Sequence, residues 1–188
     1  MEVQNWNKNE ISIQATVTIN NNKDNKYFTL KSDKIGKSFT VKSDYGDLFK
    51  KNWSKNGVYN NCKNQMDVNL VIYVPKNMEL KVKSISGSVD ALAYNGQLTL
   101  DLISGNITVK KHSKEMNLKT ISGDIDVVIS DAEFRAETLT GTVYSDLDID
   151  FNNTKKRSFG SKIIGTVKKG VASLKLKTIS GDIFLRKS

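Results

Sequence analysis

One phrase recurs five times in the C-terminal part of this chain, and it leaves few folds open. It reads Ser84-Ile85-Ser86-Gly87, Leu102-Ile103-Ser104-Gly105, Thr120-Ile121-Ser122-Gly123, Thr138-Leu139-Thr140-Gly141 and Thr178-Ile179-Ser180-Gly181. The first four glycines stand 18 residues apart and the fifth follows after 40, as though a longer loop had been admitted. Self-similarity at a fixed period marks a repeat architecture, and it outranks any local assignment.

The repeat extends beyond its glycine. Seven positions before it stand Leu80, Leu98, Met116, Phe134 and Leu174, and five before stand Val82, Leu100, Leu118, Ala136 and Leu176. Two before stand Ile85, Ile103, Ile121, Leu139 and Ile179, and two after stand Val89, Ile107, Ile125, Val143 and Ile183. Steps of two on either side of a glycine turn, with many β-branched residues, are strand alternation. The step of three between the second and third columns breaks phase and suggests a corner before the turn.

A unit of this length cannot bury its own apolar face, so equivalent residues must stack on those of neighbouring units. The expected fold is all-β: a parallel β-solenoid (β-helix or β-roll) of about 18 residues per coil, with roughly 4.8 Å between coils. Each apolar column then becomes a stripe through a shared core, and Gly87, Gly105, Gly123, Gly141 and Gly181 are structural turn residues. Four positions before the glycines stand Lys83, Asp101, Lys119, Glu137 and Lys177. Stacked in chain order, the first four alternate in sign and each charge faces an opposite one. Like charges at strand spacing would be unfavourable, so this column reads as a register device.

Residues 1–79 read as N-terminal strands and degenerate capping coils, and residues 80–188 as the regular array, in one continuous domain. Ile11, Ile13, Ala15, Val17 and Ile19 alternate as a strand, as do Val68, Leu70, Ile72 and Val74, which end at Pro75. Phe39 to Leu48 around Gly46 looks like a worn copy of the repeat, and Ile163 to Val167 like a second. The last regular coil stops three residues after Leu185 with no evident cap. An open solenoid end exposes unpaired backbone groups, so a partner, a contact between copies through the C-terminal coil, or further chain is expected there.

Function classes narrow by subtraction. The net charge of +9 is spread along the chain, only three arginines are present, and no aromatic–arginine interleaving appears, so nucleic acid is not the expected partner. The densest basic cluster, Lys155-Lys156-Arg157, falls in an expected loop and is a candidate contact for an anionic partner. The single histidine, His112, reads as a solvated loop residue, and nothing in the spacing supports a dyad with the single cysteine, Cys62. Asp146, Asp148 and Asp150 open like a calcium loop, but Phe151 and Arg157 stand where such a loop wants Gly and Glu. Gly36-Lys37-Ser38 lacks the earlier glycine of a phosphate loop. No catalytic residue, cofactor or metal is expected, and no stretch is long and apolar enough to span a membrane. Residues 1–10 contain no apolar signal region, so the chain is either cytoplasmic or read without its leader or anchor.

Leu174 to Ile183, repeated nearly whole as Asn117 to Asp126, resembles the bacterial putative-adhesin family of β-strand-repeat domains of unknown function, also called toastrack-like. The resemblance covers roughly residues 35–188. It implies a β-solenoid outside the cytoplasm, in the cell envelope, with adhesin-like or scaffolding roles toward a protein or cell-surface macromolecule, and it brings no catalytic residues. Two alternatives stand beside it. One is a carbohydrate-binding or carbohydrate-cleaving β-helix, for which Trp6, Trp53 and Tyr94 are the loop aromatics. The other is a cytoplasmic partner-binding module.

Overall fold

The computed structural model describes residues 1–49, 64–112, 114–148 and 160–188. Trp53, Cys62, Asp150, Lys155, Lys156 and Arg157 lie outside these. In chain order the strands are β1 (Glu2–Trp6), β2 (Ser12–Ile19), β3 (Thr29–Ile35), β4 (Ser38–Asp44), β5 (Met66–Pro75), β6 (Leu80–Ser86), β7 (Val89–Ala93), β8 (Leu98–Ser104) and β9 (Ile107–Val109). There follow β10 (Met116–Ser122), β11 (Ile125–Ile129), β12 (Ala132–Thr138), β13 (Val143–Ser145), β14 (Ser161–Val167), β15 (Ala172–Thr178) and β16 (Ile183–Lys187). The fold is all-β, and residues 1–13 with 71–188 form one compact unit while residues 14–70 form another.

In the first unit every repeat is a strand, a glycine turn and a second strand. The strands before the turns form a sheet in the order β14-β12-β15-β10-β8-β6; those after the turns run β13-β16-β11-β9-β7, followed by β1 and β5. Pairing between repeats is parallel and in register: Leu80 lies beside Leu98, Leu98 beside Met116, and Leu174 beside both Met116 and Phe134. Matching side chains thus stack as the period requires. Their inner faces share one core, including Leu98, Leu100, Ile107, Met116, Leu118 and Ile125, all essentially sealed from water. Burial of that apolar surface drives the fold, each fully buried aliphatic side chain contributing about 1.5–3 kcal/mol.

The spatial order departs from the chain order. The fifth repeat is slotted between the third and the fourth: β15 lies between β10 and β12, and β16 between β11 and β13. A spacing of 40 rather than 18 residues supplies the chain for this return, and longer loops cost little extra closure entropy. Two expectations fail as a result. The last repeat is interior, so the open C-terminal coil, and the contact between copies built on it, lose their basis. The charge column also does not alternate throughout, because Lys119 is directly beside Lys177. Opposite neighbours are kept at Lys83–Asp101, Asp101–Lys119 and Lys177–Glu137.

A third correction concerns the column two before each glycine. Ile85, Ile103, Ile121, Leu139 and Ile179 stack as expected but face outward, each 40% to 76% exposed. In β6, β8 and β10 no corner precedes the turn, whereas β12 and β15 end at Thr138 and Thr178 and the chain bends at Leu139 and Ile179. Strand alternation simply continues, and the inward position falls to Ser84, Leu102, Thr120, Thr138 and Thr178, three before the glycine. The supposed second worn copy is not a repeat either: β14 runs antiparallel along β12, with Gly165 opposite Phe134.

Within the second unit β3 and β4 form an antiparallel hairpin from Thr29↔Asp44 to Ile35↔Ser38, so residues 38–44 are not a coil of the array. Gly36 and Lys37 make its two-residue loop, with Gly36 at φ +59°, a conformation glycine adopts without strain. Asn25 ties down the end of β2: its Oδ1 accepts from the Ile19 N–H at 2.7 Å and its Nδ2 donates to the Val17 carbonyl at 2.8 Å. Lys31 pairs with Asp44, and that ammonium holds the Asp44 carboxyl below its usual value.

Candidate interaction surface

Three ladders run along the glycine edge of the array. The first is the glycines themselves. A Cβ on Gly105 would lie 2.4 Å from the carbonyl oxygen of Gly87, one on Gly123 2.2 Å from that of Gly105, one on Gly181 2.1 Å from that of Gly123, and one on Gly141 1.9 Å from that of Gly181. Each turn therefore rests on the backbone of the next.

The second ladder is made of the residues after the glycines. Ser88 Oγ accepts from the Asn106 N–H at 3.1 Å, and Asn106 Oδ1 from the Asp124 N–H at 2.9 Å. Asp124 Oδ1 accepts from the Asp182 N–H at 2.8 Å, and Asp182 Oδ1 from the Thr142 N–H at 2.8 Å. An Asp in a turn commonly bonds its own local backbone. Here it bonds the neighbouring repeat, and the series confirms the order in which the fifth repeat precedes the fourth.

The third ladder explains the recurring threonine. Thr120 Oγ1 donates to the Gly105 carbonyl at 3.0 Å, Thr178 Oγ1 to Gly123 at 3.0 Å, and Thr138 Oγ1 to Gly181 at 2.8 Å. These threonines are buried, so the hydroxyl needs that partner. Replacing Thr178 by valine keeps the shape, removes the donor and leaves the Gly123 carbonyl short of a bond. We expect a loss of about 1–2 kcal/mol, read from urea unfolding midpoints. An unchanged midpoint would mean the hydroxyl contributes nothing.

Outside this edge, the first sheet presents the aliphatic row Ile85, Ile103, Ile121, Ile179 and Leu139, bordered by the charged column. Between β10 and β15 lies a shallow depression of about 180 Å³ lined by Asp101, Lys119, Lys177, Ile121 and Ile179. Its two adjacent lysines follow from the insertion of the fifth repeat.

The outer face of the second sheet has two aromatic stacks. Tyr144 and Phe184 lie with centroids 5.2 Å apart and planes 10° apart, and Arg186 sits over Phe184 at 5.6 Å. The Arg186 Nε donates to both Asp126 carboxylate oxygens, at 2.7 and 2.9 Å, which raises the guanidinium pKa. Trp6 stacks on Tyr73 at 5.2 Å, with Lys8 over its ring at 4.7 Å. In both pairs one ring covers a face of the other. Tyr94, expected in an exposed loop, is instead buried, with its hydroxyl on the Met78 carbonyl at 2.9 Å, and burial pushes its phenol up to about 12.

The residues weighed for chemistry are dispersed or engaged. Asp146 accepts from the Lys187 N–H, and Asp148 pairs with the Lys187 ammonium, which lowers the carboxyl pKa. No cluster of His, Cys, Asp and Glu able to hold a metal occurs among the described residues. His112 is not a solvated loop residue. It is 6% exposed, and neither ring nitrogen has a hydrogen-bond partner among the described residues.

Burial moves His112 below its ordinary value of 6.5, with partial compensation from the Asp131 carboxylate. The unfolded chain therefore takes up this proton first. The stability from keeping the ring neutral is whole above about pH 6.5 and is lost as the pH falls through that value toward the folded one. His112→Leu should flatten the pH dependence of the urea midpoint just below pH 6.5. An unaltered slope there would show that the ring is hydrated.

Residues 78–186 match the family described as Toastrack DUF4097. The chain belongs to the toastrack family. The match spans the repeats of this toastrack chain, including the glycine, Asx and threonine ladders. A solved structure of a putative cell adhesion protein from Clostridium sporogenes ATCC 15579 is similar at 12% identity, over 100% of this chain and 88% of that one, with a TM-score of 0.49. That likeness is too remote to bring a function across. No curated protein matches the toastrack chain. No helix among its described residues is long and apolar enough to cross a membrane.

Proposed function

We propose that this toastrack chain is a non-catalytic β-solenoid of about 18 residues per coil, with residues 1–79 supplying N-terminal strands and cap. It acts outside the cytoplasm as an adhesin-like or scaffolding domain of the cell envelope. The observation that carries this reading is the division of labour along the array. Thr, Gly and Asx hold the backbone of one repeat to the next, while outward columns vary in charge and shape on a fixed grid. Rigid spacing of exposed side chains suits recognition of another macromolecule, with little ordering entropy left to lose on contact. Lys155, Lys156 and Arg157 are the proposed contact for an anionic partner. The stacked rings at Tyr144/Phe184 and Trp6/Tyr73 keep a glycan-binding reading as the second choice.

The test is binding of the purified, fluorescently labelled chain to intact cells. Saturable binding that is abolished by protease treatment of the cells supports a protein partner at the surface. Loss on glycosidase treatment alone would favour the glycan reading. Turnover of polysaccharide by the purified chain, or no saturable binding, would overturn the non-catalytic adhesin-like role.

A further inference from the structure

The aliphatic row on the first sheet is an exposed surface of unusual regularity. Ile85, Ile103 and Ile121 stand on β6, β8 and β10, and Ile179 and Leu139 directly follow β15 and β12; together they present on the order of 400 Å² of apolar surface, as much as the largest patch on a typical monomer. On the turn side the row is followed in sequence only by serine, threonine and glycine, and each of its five side chains is exposed. On the other side runs the charged column, in the spatial order Lys83, Asp101, Lys119, Lys177, Glu137, with Lys162 of β14 beyond.

That order is nearly self-complementary when reversed. We propose that the aliphatic row is a homodimer interface, formed around a two-fold axis about 15° from the strand direction, half the crossing angle of packed sheets, and passing over β10. The axis lays the row of one chain on the row of its copy with the strand order inverted. Ile121 meets Ile121, Ile103 meets Ile179, and Ile85 meets Leu139. In the flanking column Lys83 comes opposite Glu137, and Asp101 opposite Lys177, twice each; only Lys119 meets itself. Glu137 also accepts from Arg135 on its own strand.

No neighbouring register does as well. Moving the axis to β8 sets Lys83 against Lys119. Moving it to β15 keeps opposite charges opposed but leaves Ile85 and Ile103 without apolar partners. One column further from the row, Lys81 would meet Arg135, so the contact is confined to the row and the column beside it. Sheets packed face to face cross at about 30°, which lets the outer columns diverge. A contact of this extent lies at the small end of specific interfaces, and the dimer is expected to be weak, micromolar or looser.

This proposal goes beyond the adhesin-like reading and is tested apart from it. Sedimentation of the full chain up to about millimolar concentration should show a reversible monomer–dimer equilibrium. Asp101→Lys sets two lysine pairs against each other in its homodimer, and Lys177→Asp sets two aspartate pairs. Each variant alone should dimerise at least about tenfold more weakly. Mixed in equal amounts they should dimerise as the parent does, because the new lysine of one faces the new aspartate of the other. Both substitutions are on the solvent face and leave the row intact, and recovery in the mixture also shows that both variants are folded. A parent that stays monomeric, single variants that associate as the parent does, or a mixture that fails to recover would each overturn the proposal.

Discussion

Gly123→Ala should destabilise the chain by roughly 3–5 kcal/mol, and Gly87→Ala by only about 1–2 kcal/mol, although both replace the same letter of the same repeated phrase. Both positions have a positive φ, +148° at Gly123 and +111° at Gly87, which an L-residue adopts only with strain. They differ in what the new methyl meets. At Gly123 it would lie 2.2 Å from the Gly105 carbonyl oxygen and 2.6 Å from its carbon; at Gly87 nothing stands within 4 Å. The Gly123 backbone cannot shift freely, because its N–H donates to the Ser180 carbonyl at 2.9 Å and its own carbonyl accepts from Thr178. Gly87 is at the end of the stack, with room on its free side. Urea unfolding of the two variants measures the difference, and equal losses would show that backbone conformation alone selects glycine here.

The parts of the fold that were legible in the sequence are those a strict period controls. Five glycines at matching positions identify the turns, and the columns seven and five before them identify the strands and their inward face. Chain order could not disclose spatial order. The fifth repeat carries the same residues as the others, so its place between the third and fourth depends on which neighbours its ladders satisfy. Hydrophobicity also misled at one column. Isoleucine two before the glycine looks like core by composition, whereas Thr120, Thr138 and Thr178, buried through their hydroxyl bonds to glycine carbonyls, look like surface. The signal was available in the phase. Alternation from Leu98 and Leu100 continues without a break to Leu102, in the one repeat whose third inward position is aliphatic. His112 and Tyr94 were misplaced for a related reason: short polar segments read as solvated loops even where the neighbouring repeats enclose them.

Leu118→Ala and Ile121→Thr separate the two columns by energy. Leu118 is fully buried, in register with Leu100 on one side and Leu176 on the other. Truncation there removes apolar contact and leaves a void that the flanking strands, each pinned by its own ladders, cannot collapse to fill. The expected cost is about 2–5 kcal/mol. Ile121 is 47% exposed three residues later on the same strand. Threonine retains the β-branch that suits a strand, so Ile121→Thr should change stability by no more than about 0.5 kcal/mol. Both are read from urea unfolding at a chain concentration well below the dissociation constant of the dimer, where association through the aliphatic row does not contribute. A loss at Ile121 comparable to that at Leu118 would place the row inside the core. A near-neutral Ile121→Thr would mean that the central side chain of the row stands on the surface without stabilising the monomer, as a contact surface requires.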